Sequence, residues 1–465
     1  MRSHNRPPRP THSVRRISRR AVRAVLLVVM LAGMPLTLAA FRLGRIWWLG
    51  TDTDQARTME APGTERYHLV QPSPVPTQQP RVDSSTGPAP RVEEVRGAAG
   101  KFSPADSAFD LSSTADQAAN GRAGVYRNTM PTPVNAGDPI PRTVARLVAE
   151  GRFVDLHADT ILRAARRHQD LLAEYPGAEV DIPKLRRAGV GLTFFAVCSP
   201  RPRLRPGFRT WKDFAFIRYF KEVMASHPDL EQAFSATDAR RIQAQGRIPV
   251  VLSIEGAGIL LNDPGRLQTL YEAGVRAIGL VWNITNTLAD SARDEPKWGG
   301  LSPVGRDAVR EMNRLGIMVD VSHASEAAFW DILETSTRPV YASHSNAHAL
   351  RQHARNLKDE QIRAIAERGG IIGVAFHRTF LKRGRGPATI EDVVAHVQHI
   401  ARVGGIGCVA IGTDFGGGAI LPAGLGDIGK LPALVEALLR AGFSEQEVRA
   451  IMGGNAMRYF ETICP

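Results

Sequence analysis

Ile317-Met-Val-Asp-Val-Ser-His323, Glu326-Ala-Ala-Phe-Trp-Asp-Ile-Leu-Glu334 and Val340-Tyr-Ala-Ser-His344 follow one another in the chain. The outer two stretches are short apolar runs rich in β-formers. The middle one is long enough for a helix and carries apolar residues at helical spacing. Run, helix and run together predict a βαβ unit with a parallel strand pair. Each run also ends on a histidine, His323 and His344.

The pattern repeats on either side. Apolar runs recur at Phe153–His157, Val190–Cys198, Pro249–Glu255, Ala277–Trp282, Ile317–His323, Val340–His344, Gly370–Phe376 and Val409–Asp414. Further helical stretches fall at Asp359–Glu367 and Glu391–Val403. Eight runs alternating with helices predict an α/β fold, a TIM-like (β/α)8 barrel over residues 141–465. A doubly wound open sheet is the competing architecture, because strand order is invisible in sequence.

In a barrel of this kind chemistry sits where the strands end. The run ends are His157-Ala-Asp159, Glu255-Gly256, His323, His344 and Asp414. His157 and Asp159 are two apart, so in extended chain they share a face. A single histidine at a strand end is ordinarily a satisfied structural residue. Glu255 before glycine and Asp414 before Phe-Gly-Gly each have a turn explanation. Five such residues on one predicted face point instead to a metal site. Three histidines, an Asp and a Glu suit a borderline divalent ion such as zinc. Five ligands exceed the needs of one catalytic zinc, which suggests two ions sharing a carboxylate and a water.

Other residues carry less. His348 and His353 lie in a polar stretch, and His377 follows the seventh run near the rim. His396 and His399, at i and i+3 on a helix, are read as a solvated face. Gly416–Gly418 lacks the Gly-Lys-Ser/Thr of a phosphate loop. Cys198 and Cys408 read as small buried hydrophobes. With only three cysteines, a disulfide-dense scaffold and a cysteine-built zinc cluster are both excluded.

The 465 residues carry a net charge of +13, but residues 1–50 hold ten arginines and no acid. The remainder is nearly neutral, so no nucleic-acid footprint is evident. Residues 1–23 read as a basic cytoplasmic tip. Residues 24–50 read as a membrane anchor or signal segment, built on the uncharged run Ala24 to Phe41. Arginine ahead of the run predicts an extracytoplasmic remainder. A cleaved signal or twin-Arg export signal is the alternative. Residues 51–140 hold eleven prolines and no apolar periodicity, which predicts a disordered linker.

The same residues resemble the membrane (renal-type) dipeptidase family, peptidase family M19. The matching stretches are Val154-Asp-Leu-His-Ala-Asp159, Asp181-Ile-Pro-Lys-Leu185, Gly191-Leu-Thr-Phe-Phe195, Ser253-Ile-Glu-Gly256, Leu301-Ser-Pro-Val-Gly305, Val319-Asp-Val-Ser-His323, Ser343-His-Ser-Asn346, Arg355-Asn356, Gly412-Thr-Asp-Phe415 and Gly453-Gly-Asn455. The resemblance implies a zinc-dependent dipeptidase working through a metal-bridging hydroxide. It implies one Zn2+ on His157, Asp159 and Glu255 and a second on Glu255, His323 and His344. Asp414 is implied as acid/base beside the bridging water, and Arg355 as the group that binds the substrate's C-terminal carboxylate. Trp282, in Leu280-Val-Trp-Asn283, stands where better-studied members carry a substrate-contacting histidine. Gly416 stands where members often carry Asp.

A small dipeptide and the membrane are the expected partners, with a homodimer as an allowed assembly. The competing functions are a binuclear amidohydrolase acting on another small amide or lactam, and a non-catalytic surface binding protein.

Overall fold

The computed structural model describes residues 139–167, 170–198 and 206–465. The basic tip, the apolar run and most of the proline-rich stretch lie outside the described residues. Among the described residues no helix is long and apolar enough to cross a membrane.

Among the described residues nine strands form one wholly parallel sheet: β1 Phe153–Ala158, β2 Val190–Cys198, β3 Leu230–Gln232, β4 Ile248–Glu255, β5 Val275–Gly279, β6 Met318–Asp320, β7 Tyr341–Ala342, β8 Ile371–Val374 and β9 Val409–Ile411. The order is β1-β2-β4-β5-β6-β7-β8-β9, with β3 appended to β4. Chain order is kept around the path without a reversal. That excludes the doubly wound sheet, whose order must switch. The ring draws shut past the strand ends, where Asp159 N–H donates to the Phe415 carbonyl (2.7 Å) and Asp414 N–H to the His157 carbonyl (3.0 Å). Buried Asp155 reinforces the seam, accepting from Thr413 N–H and Thr413 Oγ1, both at 2.8 Å.

All eight predicted runs contain strands. β3 is the addition: Leu230-Glu-Gln232 has one apolar residue and forms no apolar run, whereas β6, β7 and β9, no longer than it, lie inside apolar runs. The helices Glu326–Thr335, Asp359–Glu367 and Ile390–Gly404 match prediction to within a residue or two at each end.

Strand residues are buried on both sides, as parallel strands between two layers must be. An inner cluster takes Leu156, Phe194, Val251, Met318, Tyr341 and Ile371 from different strands. The C-terminal helix Asn455–Ile463 adds Tyr459, Phe460 and Ile463 to it. Tyr459 Oη donates to the Pro339 carbonyl just before β7, so this helix stoppers the end where strands begin. The opposite end is left for the polar strand-end residues.

One expectation fails. His396 and His399 are buried, not solvated. His396 Nδ1 accepts from Ala347 N–H (3.0 Å) and its Nε2 faces the Leu381 carbonyl (3.1 Å). His399 Nε2 lies 2.7 Å from Asp359 Oδ1. Helical spacing alone does not reveal these partners, which lie on other elements.

Candidate metal centre

The five strand-end residues converge. β1 delivers His157 and Asp159, β4 ends on Glu255, and His323 and His344 follow β6 and β7. Glu255 Oε1 lies 2.9 Å from His323 Nε2, 3.3 Å from His344 Nε2 and 3.7 Å from His157 Nε2. His157 Nε2 is 3.8 Å from Asp159 Oδ2, and His323 Nε2 is 3.0 Å from His344 Nε2. All five residues are at most 6 % exposed, so water competes little for these atoms.

Local structure explains the aim. Ser325 caps the helix Glu326–Thr335 by accepting from Ala328 N–H, which leaves His323 in the loop ahead of it. His323 (φ 68°) and Asp414 (φ 64°) adopt left-handed backbone, unusual without glycine. Such strain costs about 1–3 kcal/mol per residue and clusters at functional sites. Gly417 leaves room between two acids: a Cβ there would stand 2.7 Å from Asp159 Oδ2 and 2.8 Å from Asp414 Oδ1. Gly416 is itself left-handed (φ 87°), and its N–H is held by Glu179 Oε2 at 2.6 Å. That conformation accounts for glycine at this position.

The donor set calls for a cation. His157 Nε2 and Asp159 Oδ1 are buried with no hydrogen-bond partner. Leaving such atoms bare costs about 1–3 kcal/mol each. Two triples have ligand atoms within 4.8 Å of one another: His157, Glu255 and His344, and His157, Asp159 and Asp414. Imidazole and carboxylate donors packed this closely fit zinc.

The electrostatics agree. Burial pushes the Asp414 carboxyl up to about 7, helped by Asp159 and Glu179 and opposed by His157 and Arg355. Burial likewise raises Glu255, and the Asp159 and Asp414 charges add to it. Burial works against charge on His157, but Glu255, Asp159 and Asp414 outweigh it and hold its pKa high. His323 and His344 are kept neutral by burial and then by the positive charges of Arg355 and His157.

Arg355 sits beside this cluster, 3 % exposed. Its Nη2 donates to the His344 carbonyl (3.1 Å) and its Nε has no partner. Among the described residues no carboxylate pairs with it within 4 Å. Burial lowers its pKa to about 10. A dry guanidinium without a counter-ion is a receptor for an anion. A pocket of about 360 Å³ adjoins it, lined by Ser291, Ser345, His348, His353, Glu326 and Lys358 among others. His377 stacks on Phe380, with ring centroids 4.3 Å apart, and Arg355 lies over the same ring at 5.5 Å.

Trp282 is half-buried, its ring centroid 6.3 Å from that of His323. Gly256 (φ 86°) lets it approach: a Cβ there would lie 3.2 Å from Trp282 Cβ. Every predicted site residue is therefore at or beside the cluster. Residues without an assigned role also emerge. Asn283 Oδ1 lies 3.1 Å from His323 Nδ1, Glu179 holds the Gly416 loop, and Asp320 with Ser343 lies behind His344. Asp320 and Ser343 stand inside the quoted motifs, and only the fold reveals what they touch.

The family model for membrane dipeptidase (peptidase family M19) matches residues 142–464. Dipeptidase tcpJ of Claviceps purpurea (strain 20.1) is 36 % identical over 293 residues, 61 % of this chain and 69 % of the relative. A solved structure described as dipeptidase AC, a metallopeptidase of family M19, superposes with TM-score 0.63 at 28 % identity, covering 67 % of this chain and 98 % of its own. A metallopeptidase from Rhodobacter sphaeroides, liganded with a phosphinate mimic of the dipeptide L-Ala-D-Ala, gives TM-score 0.63 at 27 % identity, with 67 % and 99 % covered.

Proposed function

The chain belongs to the membrane dipeptidase family, peptidase family M19, and we propose that it hydrolyses dipeptides with two zinc ions held by His157, Asp159, Glu255, His323 and His344. The observation that carries this reading is the convergence of three imidazole nitrogens on Glu255 Oε1, beside the unpartnered His157 Nε2 and Asp159 Oδ1.

Bound zinc supplies Lewis acidity and draws the pKa of water from 15.7 toward about 7. Glu255, reached by histidines from three strands, would be shared by the two ions. Burial raises the Asp414 carboxyl to about 7 without metal, and bound cations would lower it, which leaves it ionised as a base at neutral pH. It accepts the proton of the attacking water and returns it to the leaving amine nitrogen. Arg355 pairs with the substrate's free C-terminal carboxylate, and its fixed place sets the distance from that end to the scissile bond. A longer peptide has no carboxylate at that distance, which favours dipeptides. Trp282 contributes an apolar wall and one N–H donor where a titratable group is absent. The metal set, with Arg355, thus provides nucleophile activation, carbonyl polarisation and substrate registration.

The N-terminal segment is proposed to anchor the chain, with the barrel outside the cytoplasm. Protease digestion of intact against lysed cells tests this, because an extracytoplasmic barrel is cut in both. The catalytic reading is tested by turnover of dipeptides, N-acyl amides and lactams before and after chelation. Dipeptide turnover that is lost on chelation and restored by zinc supports it. Turnover confined to lactams or cyclic amides refutes it.

A further inference from the structure

Ser343 Oγ lies 2.7 Å from His344 Nδ1, 3.5 Å from His157 Nδ1 and 2.6 Å from Asp320 Oδ2. Asp320, Ser343 and both histidines are buried. We propose that Asp320 and Ser343 form a relay that fixes the tautomers of His344 and His157, one imidazole from each zinc set. The inference rests on the two-zinc reading above and adds two positioning residues to it.

Asp320 Oδ1 accepts from Ser322 N–H and Ser343 N–H, both at 2.9 Å. Its other oxygen accepts the hydroxyl proton of Ser343. The alternative acceptor for that proton, Ser322 Oγ, is further away at 3.3 Å, and it already accepts the His344 N–H at 3.1 Å. A hydroxyl has one proton and two lone pairs. Once its proton points at Asp320, Ser343 Oγ can only accept from the two imidazoles. Both Nδ1 atoms must then carry hydrogen, so each ring, in the neutral form a metal ligand requires, presents a bare Nε2. Those Nε2 atoms are the ones that face Glu255 Oε1. His323 reaches the same state by another route, through Asn283 Oδ1 at 3.1 Å. One serine thus serves ligands of both metals, and its orientation is set by Asp320, which ends β6 and is held between β5 and β7. Such outer partners typically contribute 10–100-fold in metal affinity.

Asp320→Asn tests the direction of the relay with little change of shape. The amide oxygen keeps the two backbone N–H bonds, and the amide NH₂ now donates to Ser343. The hydroxyl proton loses its acceptor on residue 320 and competes for an imidazole Nδ1, with Ser322 Oγ the more distant alternative at 3.3 Å; each imidazole it reaches carries its hydrogen on the metal-facing Nε2. Zinc affinity of the full chain, read by chelator competition, is expected to fall about 10–100-fold, with the circular dichroism spectrum unchanged. Ser343→Ala, which removes the shared acceptor, is expected to weaken both zinc ions and decides the matter if the Asn variant does not fold. A purely structural role predicts lower melting temperatures of the zinc-free variants with wild-type zinc affinity, and that result overturns the relay. A wild-type chain that takes up no zinc overturns the metal reading itself, and the relay with it.

Discussion

Glu255 Oε1 and His323 Nε2 lie 2.9 Å apart, although 68 residues separate them and they follow strands β4 and β6. The sheet curls across β5, which stands between β4 and β6, and so turns the ends of two non-adjacent strands toward one axis. It also places a carboxylate among imidazoles where each alone is a poor buried tenant.

Glu255→Gln keeps the shape and removes the shared anion. The variant is expected to lose at least one zinc and to turn over dipeptides at least about 100-fold more slowly. Metal analysis of the purified variant beside the wild type checks this. Full zinc content would deny Glu255 a role for both ions.

Asp414→Asn is expected to lower kcat by about 10²–10⁴-fold with KM and zinc content little changed. Asp414 works as a base when ionised, so wild-type activity falls as pH drops through its pKa. Without metal that value is about 7, and bound cations move it lower. The pH–rate profile of the wild type therefore carries an acid limb at or below pH 7. The residual activity of the Asn variant lacks that limb.

Arg355→Met removes the receptor for the free carboxylate. KM is expected to rise about 10–100-fold, the worth of a charged hydrogen bond in a dry site, with a smaller change in kcat. Amidating the dipeptide's C-terminus should impair the wild type to a similar degree and leave the variant almost indifferent. Equal discrimination by both enzymes would place the carboxylate elsewhere.

His396 makes zinc-free stability fall in acid. Burial lowers its pKa from 6.5 to about 4, so the folded chain keeps it neutral while the unfolded chain protonates it. Its contribution is intact above pH 6.5 and lost as pH falls toward 4, at up to about 1.4 kcal/mol per unit. His353 and His377, also lowered to about 4 with burial the largest cause, act in the same sense. His396→Gln should flatten the profile of urea midpoint against pH between 7.5 and 4.5. An unchanged slope would assign the acid sensitivity to other groups.

Much of the barrel was legible because its strands are buried on both faces and end on polar residues. Each of the eight runs states its own strand, and five of them also end on a predicted ligand or acid/base. What sequence does not carry is pairing at a distance. Asp155 and Thr413 are 258 residues apart and meet only at the closing seam. His399 finds Asp359 on a neighbouring helix, so a histidine that looks solvated is buried against a part-exposed carboxylate. Asp320 and Ser343 were visible as letters of motifs, but their hydrogen bonds depend on strands β6 and β7 lying side by side. β3, Leu230-Glu-Gln232, holds a single apolar residue and so forms no run.

The central claim is that five buried strand-end residues hold two zinc ions for dipeptide hydrolysis. Zinc content and dipeptide turnover, measured together on the same preparation before chelation, after it and after zinc is returned, test it most directly. The account predicts two zinc ions per chain, with turnover lost and regained in step with them. A chain that hydrolyses dipeptides at full rate after its metal has been removed would contradict it.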